Sequence, residues 1–348
     1  MNIIQTFYDD MATQYDKLFL DWENESDEQA VILDRLFKDR GLDRTARILD
    51  CACGIGTQAI GLARLGYDVT ASDISDTELE EAKARAAKRG VSLRLERADF
   101  RALSDTFAET FDIVIAMDNA LPHMLTAADL DAAAASITDR LVPGGIFVAS
   151  IRDYDALLQT KPPYSPPYIH KTAGGRRVSF QTWDWSGESY SLTQYIIEDE
   201  SELTVSRFVC EYRAIRREEL TGRLLSAGCR EVNWLFPEDT GFYQPVVIAR
   251  KKERPARQVL QAGSDLHELQ ADRQRKLLPQ GRIPPLYRGL QMLRLHDGAP
   301  RRDGAGGVFP PKRHKVLSQF SLPSLPGPQL PRGLPDGLPL ADGRADRV

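Results

Sequence analysis

The chain has few of the residues that build metal centres or disulfide frameworks. Of its 348 residues 4 are Cys and 5 are His, and the cysteines follow no zinc-ligand spacing. Cys51 and Cys53 are too close in sequence for an ordinary structural disulfide, so we expect both to pack beneath a turn. These scarcities predict no metal site and a reducing, cytoplasmic setting.

Long apolar runs and basic surfaces are missing as well. No run of about 18 apolar residues exists, so no membrane-spanning helix is expected. The first residues lack the basic and apolar regions of a secretory signal. The 45 basic and 50 acidic residues give a net charge of −5. Without a basic patch interleaved with aromatics, nucleic-acid binding is disfavoured.

Charge, proline and glycine are unevenly distributed along the chain. From Glu253 onward there are 16 basic and 9 acidic residues, with 13 of the 21 prolines and 11 of the 25 glycines. Residues 1–252 carry a net charge of −12. We therefore predict one folded domain at 1–252 and a Pro/Gly/Arg-rich disordered tail at 253–348. Out-of-frame translation after a frameshift near Lys252 is a second explanation for that tail.

Strands and helices alternate through the first part of the chain. After a helical stretch at 1–45, strands are predicted at 46–50, 67–71, 93–97, 111–117 and 145–151, with helices at 57–65, 76–89 and 127–141. This rhythm is typical of βαβ units and a parallel sheet, which bind ligands beyond the carboxyl ends of the strands. Four prolines at 161–168 and alternating stretches around Ser186-Gly187 predict a small antiparallel β insertion at 155–205.

The strongest local motif is Asp50-Cys-Ala-Cys-Gly-Ile-Gly56, between the first strand and a helix. Its glycines allow close approach of a ligand, and the helix amino terminus suits an anion. Asp73, at the end of the next strand, could accept hydrogen bonds from ribose hydroxyls. The match to G-x-G-x-x-A fits a dinucleotide, whereas Asp50 before the glycines fits an S-adenosylmethionine turn; a tight turn without ligand is the third reading.

Three further features favour S-adenosylmethionine as the cofactor. Asp99 and Phe100 supply an acceptor for the adenine amine and a face to stack on it. The Pro-Gly-Gly at 143–145, before strand five, is common in methyltransferases, and a closing strand pair at 232–250 fits their antiparallel last strand. The Tyr-x-x-x-Lys pair of a dehydrogenase is absent.

Over residues 1–252 the chain resembles the class I S-adenosylmethionine-dependent methyltransferases, and within them the glycine/sarcosine N-methyltransferase group. The stretches that carry the resemblance are 7–10 with 15–16, 49–57, 117–123 and 151–155. Ala52 departs from the glycine of many relatives, and the family lacks the tail. The resemblance implies an α/β, doubly wound Rossmann-like fold, with a seven-stranded, mostly parallel sheet whose last strand is antiparallel. It also implies that 1–45 is a helical lid.

The resemblance further implies which residues form the site. Arg152 would hold a substrate carboxylate, Asn119 would touch that carboxylate or the transferred-methyl region, and Tyr8 would face the sulfonium. The implied cofactor-binding residues are Tyr15, Asp50, Ala52, Gly54, Gly56, Asp73, Ile74, Asp99, Phe100, Met117 and His123. Structural roles remain as alternatives: an ion pair of Arg152 with Asp153 or Asp155, a turn contact for Asn119, helix capping by His123, and a solvated turn at Asp118.

The predicted function is methyl transfer from S-adenosylmethionine to a small molecule. The expected acceptor group is the amine of an amino-acid-like substrate. The base that takes the amine proton is not assigned. The alternatives are a small-molecule O- or C-methyltransferase and a non-catalytic S-adenosylmethionine-binding module. An RNA or protein methyltransferase is disfavoured by the acidic charge and the missing Asn/Asp-Pro-Pro-Tyr/Phe motif. The expected partner is a small-molecule substrate, with no nucleic acid and no membrane, and assembly into a homo-oligomer remains open.

Overall fold

The computed structural model describes residues 3–253. The predicted tail lies outside the described residues except for Glu253. The eight α-helices of the described range are α1 Ile3–Met11, α2 Trp22–Lys38, α3 Thr57–Arg64, α4 Asp76–Lys88, α5 Ala127–Asp139, α6 Tyr154–Thr160, α7 Arg217–Ser226 and α8 Pro237–Thr240. None of these helices is both long and apolar enough to cross a membrane.

A seven-stranded sheet forms the centre of the fold. Its strands are β1 Arg47–Asp50, β2 Asp68–Asp73, β3 Arg94–Arg97, β4 Phe111–Ala116, β5 Leu141–Ser150, β10 Cys229–Leu235 and β11 Val246–Lys251. The spatial order is β10-β11-β5-β4-β1-β2-β3. Strand β11 runs antiparallel to both neighbours, and the other neighbouring pairs are parallel. The predicted doubly wound, Rossmann-like sheet with an antiparallel last strand is confirmed.

Apolar side chains cover both faces of this sheet. On one face Leu49, Val114 and Phe147 stand in register on β1, β4 and β5 and belong to one core cluster. Their neighbours Ile48 and Ile113 point to the other face and belong to a second cluster. Because side chains alternate along a strand, nearly continuous apolar strands need helices on both sides.

The amino-terminal stretch is divided, unlike the single helix predicted for 1–45. Helix α1 is followed by a 3₁₀ segment at 12–18, and α2 begins after Asp21, whose carboxylate accepts the N–H of Asn24. Ser75 caps α4, and its hydroxyl donates a hydrogen bond of 2.5 Å to the carboxylate of Asp9 on α1. This contact fixes α1 above the carboxyl edge of the sheet.

The β insertion is a four-stranded antiparallel sheet of β6 Tyr168–Lys171, β7 Arg176–Ser186, β8 Ser189–Asp199 and β9 Leu203–Arg213. Strand β9 closes this sheet and ends at Arg213. Helix α6 was not predicted. The Pro-Gly-Gly stretch forms a bulge inside β5 rather than the end of a helix, since Phe111 and Ile113 pair with Leu141 and Ile146.

Candidate functional site

A cavity lies above the carboxyl ends of β1 to β4. The loops after these strands form its floor, and the amino-terminal segment covers it. Nine of the eleven predicted cofactor residues line it: Tyr15, Ala52, Gly54, Asp73, Ile74, Asp99, Phe100, Met117 and His123. Asp50 and Gly56, the other two, are not on its wall.

Gly56 and Asp50 shape the turn that forms the cavity floor. Gly56 has φ of 87° and caps α3, where a Cβ atom would lie 2.8 Å from a side-chain carbon of Ile60. Asp50 is fully buried, and one carboxylate oxygen accepts the N–H of Ala52 at 3.4 Å. Burial raises the pKa of Asp50 to about 8. Both residues therefore determine the path of the turn from behind it.

The Asp73 carboxylate joins the end of β2 to the glycine turn. Its oxygens accept the backbone N–H groups of Gly54 at 2.9 Å and Ser75 at 3.0 Å. Burial raises the pKa of Asp73, and these N–H donors oppose that effect. A carboxylate oxygen has two lone pairs, so Asp73 can accept further hydrogen bonds from a ligand in the cavity.

Asp99 is held by a residue that sequence reasoning missed. The guanidinium of Arg101 donates to one Asp99 carboxylate oxygen at 2.6 and 3.0 Å and to Asp129 at 2.7 Å. Arg101 also lines the cavity. The Asp-x-Arg spacing at 99–101 was the available signal. The carboxylate expected to meet adenine is thus fixed in direction by an ion pair that reaches the first turn of α5.

A second cavity adjoins the first. We call the first the cofactor cavity and the second the acceptor cavity. Tyr8, Tyr15 and Asp118 line both. Asn119 and Arg152 line the acceptor cavity, so the structure brings together the three predicted catalytic residues.

Arg152 is held in place by the β insertion. Its guanidinium donates to the Tyr190 hydroxyl at 2.6 Å and to the side-chain oxygen of Gln181 at 3.1 Å. It also lies 5.1 Å from the centre of the Trp183 ring. Asp153 and Asp155, the alternative partners of Arg152, both pair with Arg217. The insertion therefore presents the cation at the acceptor cavity.

Asn119 does more than complete a turn. Its side-chain oxygen accepts the N–H of Arg152 at 3.1 Å and the hydroxyl of Tyr154 at 3.0 Å. Its buried side-chain nitrogen has no hydrogen-bond partner among the described residues. Asp118 and Asn119 have φ of 53° and 69°, a left-handed conformation that is uncommon without glycine and recurs at functional sites.

His123 is linked to Tyr8. Its Nε2 atom lies 2.8 Å from the Tyr8 hydroxyl, and its ring centre is 4.2 Å from that of Tyr212. Burial lowers the pKa of His123 to about 3, so the ring is neutral at physiological pH. The proposed helix-capping role is wrong, because Thr126 caps α5.

The cysteines of the glycine turn and Trp22 are buried. Cys51 and Cys53 are free, buried thiols, as predicted. Trp22 donates to the Thr57 hydroxyl at 3.0 Å and lines neither cavity, so it packs α2 on α3. Sequence reasoning missed Gln58, Gln181, Tyr190, Gln194, Tyr243 and Gln244, which line or brace the two cavities. They come from α3, β7, β8 and the loop after α8, so no single stretch of sequence contains them.

The cofactor cavity fits S-adenosylmethionine by its chemistry. One end has the Asp73 carboxylate beside the glycine turn, suited to two adjacent hydroxyls. Apolar Ile74 and Phe100 line the same cavity as the Asp99 carboxylate, a combination suited to a flat ring that carries an amine. Tyr8 and Tyr15 stand at the boundary with the acceptor cavity, where aromatic faces attract a cation.

Residues 48–145 match a family model described as a methyltransferase domain. The glycine/sarcosine N-methyltransferase of Parasynechococcus marenigrum is 32% identical over 155 residues, 44% of this chain and 54% of that protein. The ubiquinone biosynthesis O-methyltransferase of Mesorhizobium japonicum is 39% identical over 106 residues, 30% of this chain and 41% of that protein. The chain thus spans about half the length of the curated relatives it matches.

A solved S-adenosylmethionine-dependent methyltransferase from Clostridium acetobutylicum shares the fold. Its TM-score is 0.56 at 19% identity, with 71% of this chain and 99% of that chain covered. The matching domain model includes the glycine turn, Asp73 and Asp99. With its sheet order and cofactor cavity, the chain is similar to the class I S-adenosylmethionine-dependent methyltransferases.

Proposed function

We propose that the protein transfers a methyl group from S-adenosylmethionine to the amine of a small, amino-acid-like molecule. The observation that carries this proposal is the pairing of two adjoining cavities with Tyr8, Tyr15 and Asp118 between them. One cavity has the carboxylates of Asp73 and Asp99, which can accept hydrogen bonds from the cofactor. The other presents a cation and an amide nitrogen suited to a carboxylate.

On the cofactor side, Asp73 would accept the ribose hydroxyls and Asp99 the adenine amine. Arg101 would keep the Asp99 carboxylate turned towards the ring through its ion pair. Ile74 and Phe100 would cover the two faces of the base. The remaining residues of the predicted set, Tyr15, Asp50, Ala52, Gly54, Gly56, Met117 and His123, would enclose the methionine part or maintain the turn below it.

On the acceptor side, Arg152 and Asn119 would bind the carboxylate. A guanidinium presents parallel donors that match two carboxylate oxygens. The Asn119 side-chain nitrogen is buried beside it with no partner among the described residues. A buried donor without a partner is costly, so a ligand carboxylate in this cavity would remove that cost.

The chemistry is an in-line displacement at the methyl carbon. The bound cofactor supplies a methyl group already activated by its sulfonium. The protein's part is to align the amine with that methyl, which can supply roughly 7–11 kcal/mol of the barrier. Tyr8 and the amino-terminal segment, with the buried Phe7 and Met11, would exclude water from the shared boundary.

Incubating the protein with S-adenosylmethionine and a panel of small amines and amino acids tests the proposal. We expect release of S-adenosylhomocysteine with at least one amino acid, and a product with a new N-methyl group in its mass and NMR spectra. Methylation at oxygen or carbon would replace this proposal with the O- or C-methyltransferase alternative. Cofactor binding without turnover on the panel or on a metabolite extract would support a non-catalytic module.

A further inference from the structure

We propose that Asp118 is the proton acceptor that converts the bound ammonium of the acceptor into the reactive amine. This inference rests on the amine acceptor proposed above. It assigns the base that the sequence left open. It also replaces the solvated turn considered for this residue with a catalytic role.

The position of Asp118 supports this role. It lines both cavities, and it is the only carboxylate lining the acceptor cavity of the described chain. The amine must stand between the carboxylate-binding residues and the methyl donor, which is the boundary where Asp118 lies. Asp73 and Asp99, the other two carboxylates of the cofactor cavity, are at the ends of β2 and β3.

The carboxylate is held in a defined orientation. The Tyr243 hydroxyl donates to one oxygen at 2.6 Å and the Gln58 amide to the other at 2.8 Å. The backbone N–H of Asp118 donates to the Ser150 hydroxyl at 2.8 Å. These contacts stabilise a residue with φ of 53°, a conformation that costs on the order of 1–3 kcal/mol for a non-glycine residue.

The neighbouring groups are less suitable as bases. Burial raises the pKa of Tyr8 well above its ordinary value, so its hydroxyl keeps its proton at neutral pH. His123 does not line the acceptor cavity, and its Nε2 already lies 2.8 Å from the Tyr8 hydroxyl. Arg152 is a cation. Burial likewise raises the pKa of Tyr15, the other phenol at the boundary, well above its ordinary value. Asp118 is therefore the remaining acidic group there.

Opposing electrostatic effects act on the Asp118 carboxylate. Burial raises its pKa, while the donors Tyr243 and Gln58 lower it. Its titratable neighbours are Tyr243 after α8, Tyr15 on the 3₁₀ segment and Asp50 at the end of β1. Arg152 shares the acceptor cavity. The carboxylate acts above its pKa, so its contribution is lost as the pH falls below that value.

Proton transfer to Asp118 precedes methyl transfer. The acceptor enters as R–NH₃⁺ and gives one proton to the Asp118 carboxylate, which leaves R–NH₂ and a neutral carboxyl. The amine lone pair forms the C–N bond while the S–C bond breaks, and that electron pair stays on sulfur in S-adenosylhomocysteine. The product leaves as R–NH₂⁺–CH₃, and the Asp118 proton then passes to solvent.

Asp118→Asn tests this step, with the amino acid of highest turnover from the panel as acceptor. In the native protein we expect kcat/KM to be constant from the pKa of Asp118 up to that of the amine. In the variant, only molecules that arrive neutral can react. Its kcat/KM should therefore fall about 100-fold or more at pH 7 and rise tenfold per pH unit until the amine itself is deprotonated.

Asp118→Gly is the second variant, since glycine adopts a positive φ without strain; it should fold and show the same slope. A β-fluorinated analogue of the acceptor, whose amine is less basic, should be methylated almost equally by native and variant proteins. Identical pH profiles in native and variant proteins would overturn the proposal. So would a variant whose only defect is weaker S-adenosylhomocysteine affinity, which would assign Asp118 to the cofactor. If no amine is methylated by the native protein, the proposed function itself fails.

Discussion

The side-chain oxygen of Asn119 accepts the backbone N–H of Arg152 at 3.1 Å. This bond joins the loop after β4 to the loop after β5, two strands that are neighbours in the sheet. It uses the oxygen of the amide and leaves the buried nitrogen without a hydrogen-bond partner among the described residues. The two residues proposed to bind the carboxylate are therefore positioned as one unit.

Arg152→Ala should raise the KM of the amino-acid acceptor about 100-fold, because it removes a charge-assisted contact of roughly 1.5–3 kcal/mol. Cofactor affinity, measured by calorimetry, should change little. Arg217→Ala is the matched control, since Arg217 pairs with Asp153 and Asp155 and lines neither cavity. Equal effects of the two variants on KM would contradict the role of Arg152.

Asp73→Ala should weaken S-adenosylmethionine binding by roughly tenfold or more in calorimetry, since hydrogen bonds to a carboxylate are worth about 1.5–3 kcal/mol. Part of the loss comes from the N–H groups of Gly54 and Ser75, which lose their acceptor. Asp68→Ala, at the exposed opposite end of β2, is the control and should bind normally. Unchanged affinity of Asp73→Ala would refute the proposed ribose contact.

Gly61→Ala should destabilise the protein by about 1–3 kcal/mol in urea unfolding. Helices α2 and α3 approach closely here, and a Cβ atom on Gly61 would lie 2.6 Å from the Ser26 carbonyl oxygen. Gly222→Ala on α7 is the opposite case, because its Cβ meets nothing within 4 Å. It should stabilise the protein by about 0.5–1 kcal/mol through helix propensity. Equal changes in the free energy of unfolding for both variants would show that the close helix packing does not exclude a larger side chain at position 61.

His123 should make the protein less stable in acid. Its pKa falls from about 6.5 in the unfolded chain to about 3 in the fold, because burial disfavours the imidazolium. The unfolded state therefore binds one more proton than the folded state between these values. Stability is fully present above pH 6.5 and is lost as the pH falls towards 3. Across this pH window the free energy of unfolding, measured in urea, should change less steeply with pH in His123→Gln than in the native protein. An equal pH dependence would contradict a neutral, buried His123.

The sequence-based domain boundary leads to a further prediction. We propose that residues 1–252 form the methyltransferase domain, with 1–45 as its lid and the insertion beginning near 155. A chain ending at Glu253 should then keep the melting temperature and the S-adenosylhomocysteine affinity of the full chain. A large loss of either would show that the domain needs residues beyond 253.

The parts of the site that could be predicted from sequence are those encoded in short segments. Asp50 to Gly56, Asp73 and Asp99 each follow a strand directly, and a parallel sheet brings all strand ends to one edge. Arg101 was within reach of the same reasoning, two residues after Asp99. The acceptor side was harder, because Gln181 and Tyr190 come from the insertion and Tyr243 from the loop after α8.

The order of βαβ units, the glycine turn and the apolar strands were determined by the amino-acid sequence itself, since they depend on local periodicity and on neighbouring residues. The tertiary structure decided what surrounds each side chain. Asp118 looked like a solvated turn residue in the sequence. It is half-buried between two cavities, with Gln58 and Tyr243, 60 residues before it and 125 after it, on its two oxygens. Only the packing of distant elements removes water from such a carboxylate, and that environment sets its pKa and its partners.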